Sequence, residues 1–168
     1  MSQICVRRAN HRMFGREVVG VAARRKVLIV DDDPVYVKST ELVLSAHGYE
    51  ADTARDGDEA LAKMQLQTPD LVLLDIMMDW ALDGLHVTRE MLRQQQLHGV
   101  PIIIVSSIMD SEYRDMFPQD QYLHYDEWLD KPCPPSRLVA EVERVLSRYD
   151  RYRRSPGQRP MGGEASAG

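Results

Sequence analysis

An α/β fold built on a parallel sheet is predicted for the middle of this 168-residue chain by two features of its patterning. Short apolar, β-branched runs alternate with longer segments carrying helix start and stop signals, which is the βαβα order of a parallel sheet. The runs are apolar at successive positions instead of alternating, which suits strands covered by helices on both faces. A third feature says where chemistry would sit: the polar residues follow directly on the runs, at the strand carboxyl ends where doubly wound sheets bind ligands.

The first strand is expected at 27–30 (VLIV). Asp33 and Pro34 then read as an N-cap followed by an N1 proline, opening a helix that runs to Gly48, a natural C′ residue. A weaker strand is expected at 49–53. Asp56 with Glu59 three residues on resembles a capping box with Asp in the Ser/Thr role, ahead of Ala60, Leu61 and Met64, and Pro69 closes that segment. The third strand is 71–74 (LVLL), followed by a helix over 84 to about 96 with Leu85, Thr88, Met91 and Leu92 on its apolar stripe. The fourth strand is 102–105 (IIIV), and a short fifth is expected at 128–129. Between them, 108–126 has only loose helical spacing, with a helix expected near 110–117 before Pro118. Ser136 precedes Leu138, Val139, Val142, Val145 and Leu146, whose spacings make a last amphipathic helix.

Charge divides the chain in three. Residues 1–26 carry seven basic side chains against one acid, a net +6, and residues 148–168 carry five against two, a net +3. The body, 27–147, has nine basic against 23 acidic residues, a net −14 hidden inside the overall −5. Such a body argues against nucleic acid as a partner, because that affinity rests on Lys and Arg neutralising phosphates. The sequence reads as a basic, flexible extension over 1–25, a single domain over 26–149 and a flexible tail over 150–168. The 19 residues after Tyr149 are too few for a DNA-binding output domain, so output is expected through protein contact. No apolar run approaches the roughly 20 residues of a membrane span. The run 18–23 (VVGVAA) falls short of a secretory core of about 7–15 residues. With only Cys5 and Cys133, a disulfide framework is not expected and a cytoplasmic location is.

The strand ends carry the chemistry. The first strand runs into Asp31, Asp32 and Asp33, the third ends in Asp75, the fourth in Ser106 and Ser107, and the fifth in Lys131 and Pro132. Carboxylates gathered at one edge repel one another, and Mg2+ is the natural remedy: it takes one or two carboxylates, keeps waters and accepts phosphate oxygens. A lysine can offset a transferred phosphoryl group and a hydroxyl can hydrogen-bond it. The set suits phosphoryl transfer to an aspartate. Asp33, beside Pro34, reads as a helix cap; Met77, Met78 and Cys133 read as packing; the five histidines lack metal-ligand spacing.

KVLIVDDDP, DLVLLDIMM, LDGL eight residues beyond Asp75, PIIIVSS and WLDKP occur in that order, and together they resemble the receiver domains of two-component response regulators. The resemblance covers about 26–149 and implies a flavodoxin-like, doubly wound five-stranded parallel sheet in the order 2-1-3-4-5 with five flanking helices. It further implies Asp75 as phosphoacceptor, Asp31 and Asp32 as the acidic pair holding Mg2+ together with Asp75 and the Met77 backbone carbonyl, and Lys131 as the family's lysine. Ser106 falls at the Thr/Ser switch position and Trp128 at the switch aromatic, and Lys131-Pro132 is where the family usually has a cis peptide. The implied partner is a sensor histidine kinase or phosphotransfer protein. Output passes through the face of the family's fourth helix and fifth strand, and a homodimer is compatible with it. Such a protein is no enzyme beyond self-catalysed transfer to Asp75 and slow self-dephosphorylation.

Departures from the family set this chain apart. Asp79, followed by Trp80, stands where many members have Pro four residues after the phosphoacceptor, and Met77 and Ile108, apolar at the positions flanking the hydrolytic water's route, predict slow dephosphorylation. The divergent stretch 108–126 predicts an unusual output surface. An unphosphorylated, receiver-like interaction module is the alternative, favoured by Asp79 and by that divergence. A phosphatase of the haloacid dehalogenase type fits less well, because DDDP lacks that class's DxDx(T/V) run and a cap domain has no room.

Overall fold

A computed structural model describes residues 24–78, 83–107 and 124–154. Its strands are β1 (Lys26–Val30), β2 (Glu50–Ala54), β3 (Leu71–Leu74), β4 (Ile102–Ser106) and β5 (Glu127–Asp130). The helices are α1 (Pro34–Ala46), α2 (Gly57–Leu66), α3 (Asp83–Arg93) and α4 (Pro135–Arg154), with one 3-10 turn at Gln95–Leu97. All strands pair in parallel, in the order β2-β1-β3-β4-β5. The sheet order is the one the resemblance implies. The expected helix near 110–117 lies outside the described residues, as do Asp79, Trp80 and Ile108.

Residue parity sends the sheet's side chains to two cores. Val27, Ile29, Leu71, Leu73, Ile103 and Val105 pack with Leu44 of α1 and with Leu138, Val142 and Val145 of α4. Leu28, Val30, Val72, Leu74, Ile102 and Ile104 pack with Leu61 and Met64 of α2 and with Leu85 and Met91 of α3. Both faces are covered, which is why the runs are apolar at every position. Each fully buried aliphatic side chain contributes about 1.5–3 kcal/mol.

The helix ends follow the local signals. The Asp33 carboxylate accepts from the N–H groups of Val35 (2.9 Å) and Tyr36 (3.3 Å). Gly48, at φ +86°, adopts the left-handed conformation of a helix stop, with its N–H on Ser45 O and the Tyr49 N–H on Leu44 O. At α2 the Asp56 carboxylate accepts from Glu59 N–H (2.8 Å), while Glu59 reaches past the cap to the Arg55 N–H (3.1 Å).

The structure corrects three sequence expectations. On α3 the buried side chains among the described residues are Leu85, Val87, Thr88 and Met91, whereas Leu92 is exposed. By spacing Leu92 shares the stripe of Leu85 and Thr88, but it stands on the last turn of α3, and Leu97 of the 3-10 turn fills the core beyond it. The folded body also begins before 26: Arg25 pairs with Asp70 (2.9 Å) and Asp150 (2.5 Å), and its carbonyl accepts from Glu50 N–H. At the other end α4 continues through 150–154, five residues past the expected boundary.

One knot fixes the start of β5. The Asp126 carboxylate accepts from Ile102 N–H (3.0 Å), the Tyr149 hydroxyl (3.1 Å) and the Arg148 guanidinium (2.9 Å), joining β4, the approach to β5 and α4.

Candidate functional site

The sheet itself sets the acids at one edge. Ladder bonding continues one residue past the strands: Asp31 N–H donates to Ala54 O (3.0 Å) and Asp75 N–H to Val30 O (2.9 Å). Val30 pairs with Leu74 in register, so Asp31 and Asp75 emerge side by side. Ser106 ends β4 opposite Asp130, and its carbonyl accepts from Lys131 N–H (3.1 Å). The Lys131-Pro132 peptide is cis.

These backbones bring five of the sequence-predicted residues together. Carboxylate oxygens of Asp31, Asp32 and Asp75 lie within 4.8 Å of one another. Asp31 and Asp75 are buried, at 3 and 5 % exposure, whereas Asp32 is exposed. Lys131 Nζ donates to Asp31 Oδ2 (2.6 Å) and Asp75 Oδ2 (2.7 Å). The other Asp75 oxygen, Oδ1, accepts from the Ser106 hydroxyl (2.8 Å) and from Met77 N–H (2.9 Å). Ser106 is fully buried, so this serine is committed to Asp75 and not to water.

Electrostatics follow from burial. Desolvation pushes the Asp31 carboxyl above its ordinary range, against the pull of the Lys131 ammonium and the Asp33 N–H. Desolvation also works against the Lys131 charge, but its hydrogen bonds to Asp31 and Asp75 outweigh that and its pKa is raised. Three carboxylates and one ammonium leave two formal negative charges, the charge that one divalent cation neutralises. An all-oxygen donor set of this kind fits Mg2+ in place of a softer metal.

Trp128 is half-buried against the α2/α3 core. Its indole N–H donates to Asp130 Oδ1 (3.0 Å), and its ring meets Tyr125 edge-on at 6.0 Å. Met78 is buried in the same core, and Cys133 packs against the α1/α4 core.

One residue at the site was not singled out by sequence: Tyr36, whose ring centroid lies 4.3 Å from Lys131 Nζ. Its signal was available in helical spacing, since Tyr36, Thr40 and Leu44 follow one another at intervals of four on the inward face of α1.

Comparison with known proteins agrees with this arrangement. The family model described as response regulator receiver domain matches residues 27–143. Among curated relatives, the alkaline phosphatase synthesis transcriptional regulatory protein PhoP of Bacillus subtilis is 36% identical over 126 residues, 75% of this chain and 50% of its own length. The DNA-binding response regulator MtrA of Mycolicibacterium smegmatis is 34% identical over 127 residues, covering 76% of this chain and 53% of that protein. This chain thus spans about half the length of the curated relatives it matches. The transcriptional and DNA-binding roles in those names describe the longer proteins, and they leave the expectation of no nucleic-acid partner unsupported. Among solved structures, the CheY-like receiver domain protein of Methanospirillum hungatei superposes with a TM-score of 0.66 at 26% identity, covering 77% of this chain and 98% of that one. Chemotaxis response regulator CheY4 of Vibrio cholerae gives 0.63 at 30% identity, with 73% and 98% covered. Since the family model matches well over half of its length, the chain belongs to the response regulator receiver domains of two-component signalling.

Proposed function

We propose that Asp75 accepts a phosphoryl group from the phosphohistidine of a sensor histidine kinase or phosphotransfer protein, and that the modified domain presents an altered surface to a downstream protein. The observation that carries this reading is the clamping of one buried carboxylate from both sides, with Ser106 and Met77 N–H on Oδ1 and Lys131 on Oδ2.

In the transfer, an Asp75 oxygen forms the new P–O bond as the P–N bond of phosphohistidine breaks, and the histidine nitrogen keeps the electron pair. A bound Mg2+ would supply positive charge against the phosphoryl oxygens. Asp31, Asp32, Asp75 and the Met77 carbonyl are the residues assigned to hold it. Lys131 neutralises the buried acids and is placed to follow charge onto the transferred group. On transfer, Ser106 turns toward the phosphoryl oxygens. Its hydroxyl already lies 2.8 Å from the carboxylate that would carry them, so the travel is short. We assign the relay to Trp128, whose indole would exchange its bond to Asp130 for a more inward position as Ser106 shifts.

The domain is a phosphoacceptor and not an enzyme acting on a separate substrate. Among the described residues no helix is long and apolar enough to cross a membrane. We place the protein in the cytoplasm, where a kinase's phosphohistidine would be available.

The test is incubation of the whole chain with acetyl phosphate and Mg2+, followed by intact-mass measurement. A mass gain of one phosphoryl group, lost in Asp75→Asn, is expected. Absence of the adduct with both acetyl phosphate and a cognate kinase overturns the reading and favours an unphosphorylated interaction module.

A further inference from the structure

We propose that Tyr36 is a positioning residue for Lys131, its ring face holding the ammonium against Asp31 and Asp75. The inference rests on the phosphoacceptor reading above and adds to it a residue that acts through the lysine.

An ammonium has three N–H donors, and at Lys131 two meet carboxylate oxygens, at 2.6 Å on Asp31 and 2.7 Å on Asp75. The Tyr36 ring covers a further side of the same nitrogen, with its centroid 4.3 Å away, well inside the range in which a ring quadrupole attracts a cation. Both partners are held. Tyr36 lies on the first turn of α1, where its own N–H donates to the Asp33 cap, and its ring packs on the core formed by α1 and α4. Lys131 is anchored by its N–H on Ser106 O and by the end of β5.

The chemistry of the ring suits the task. A carboxylate at this place would hold the ammonium but add a fourth negative charge to a pocket that already has three. An aliphatic side chain would exclude water and offer no attraction to the charge. The aromatic face attracts the cation with no lone pair of its own, so neither carboxylate loses its share of the lysine. It is also directionally broad. When an Asp75 oxygen becomes bonded to phosphorus, Lys131 must follow the negative charge outward, and it can slide over the ring without leaving it. Burial pushes the Tyr36 phenol above its ordinary range, so the ring stays neutral as the lysine stays charged.

The experiment uses the full chain as Tyr36→Phe and Tyr36→Leu, each also in a Lys131→Met background. The first readout needs no phosphorylation: ring-current shifts of the Lys131 ε-methylene protons by NMR. The second is the rate of mass gain with acetyl phosphate at saturating Mg2+. Upfield-shifted ε-protons are expected in the wild type and in Tyr36→Phe and not in Tyr36→Leu. Transfer in Tyr36→Leu falls about tenfold, Phe restores it, and in the Lys131→Met background the Leu substitution adds nothing. Should Tyr36→Leu not fold, Tyr36→Met takes its place. Unshifted ε-protons in the wild type overturn the proposal, as does equal slowing by Tyr36→Leu with and without Lys131. A wild type that shows the shift but gains no mass sinks the phosphoacceptor role of Asp75 while leaving the ring-ammonium contact standing, so the two failures read differently.

Discussion

Asp75 Oδ1 has two donors, and they are not equivalent. Met77 N–H is fixed by the backbone, whereas the Ser106 hydroxyl belongs to a side chain that can turn. Ser106→Ala therefore removes one hydrogen bond without orphaning the acceptor, and about 0.5–1.5 kcal/mol of stability should be lost in urea unfolding. The larger effect should appear after transfer, where the hydroxyl is the side-chain donor free to turn toward the new group. Indole fluorescence of the Ser106→Ala protein should respond less to acetyl phosphate than that of the wild type, with Asp75 still gaining mass. At this scale the sequence was informative for the acids, the serine and the lysine, because each directly follows an apolar run and the fold rule says strand ends converge. Its spacing could set Tyr36 on the inward face of α1 but not beside Lys131, because a ring on the first helix meets a lysine after the last strand only through the fold. It was silent on the inward position of Ser106, which is a rotamer and leaves no mark in residue order.

Elements obey their local signals where those signals act over a few neighbouring residues. The Asp33-Pro34 start, the Gly48 stop and the Asp56 cap needed only a few neighbours and were legible. The α3 stripe was not fully legible, because Leu92 has the spacing of an inward residue and only the place where the helix ends leaves it exposed. The limits of α4 depend on long-range pairs such as Arg25 with Asp150, which periodicity cannot see. The α2 cap yields a pH prediction. The Glu59 N–H holds the Asp56 carboxyl below its ordinary value of 3.8, and the Arg55 N–H holds Glu59 below 4.5. Because both folded values are depressed, their stabilisation is present above the ordinary values and is lost as pH falls through the folded ones. Asp56→Ala should cost about 1 kcal/mol near neutral pH, and the gap to wild type in thermal melts should narrow below about pH 4.

For the whole molecule, an ion held at the acidic edge would couple its binding to folding. Asp31, Asp32 and Asp75 come together only in the folded sheet, so an ion they hold binds the native state alone. Mg2+ at about a hundred times its Kd should stabilise the protein by about 2.7 kcal/mol, raising Tm by several degrees. A chelator should reverse the rise and Asp75→Asn should abolish most of it; a Tm indifferent to Mg2+ would remove the ion from the site. The sheet order was legible through the resemblance, since residue patterns give strands but not their neighbours. The charge partition was legible as arithmetic, but not its grouping, which needs the register of Val30 with Leu74 to set two acids side by side.

The knot at Asp126 bears on how β5 can move. This strand lies at the edge of the sheet, with β4 on one side only, and its foot is tied by Asp126 to Ile102, Tyr149 and Arg148. Trp128 and Lys131 lie beyond the tie, and the Lys131 end is held as well, by its N–H on Ser106 O and its ammonium on Asp31 and Asp75. An edge strand pinned at both ends resists sliding, because sliding would break the carboxylate's three bonds and the lysine's together. The pin at the Lys131 end bonds the proposed phosphoacceptor itself, so a change at Asp75 would reach β5 there and not at Asp126.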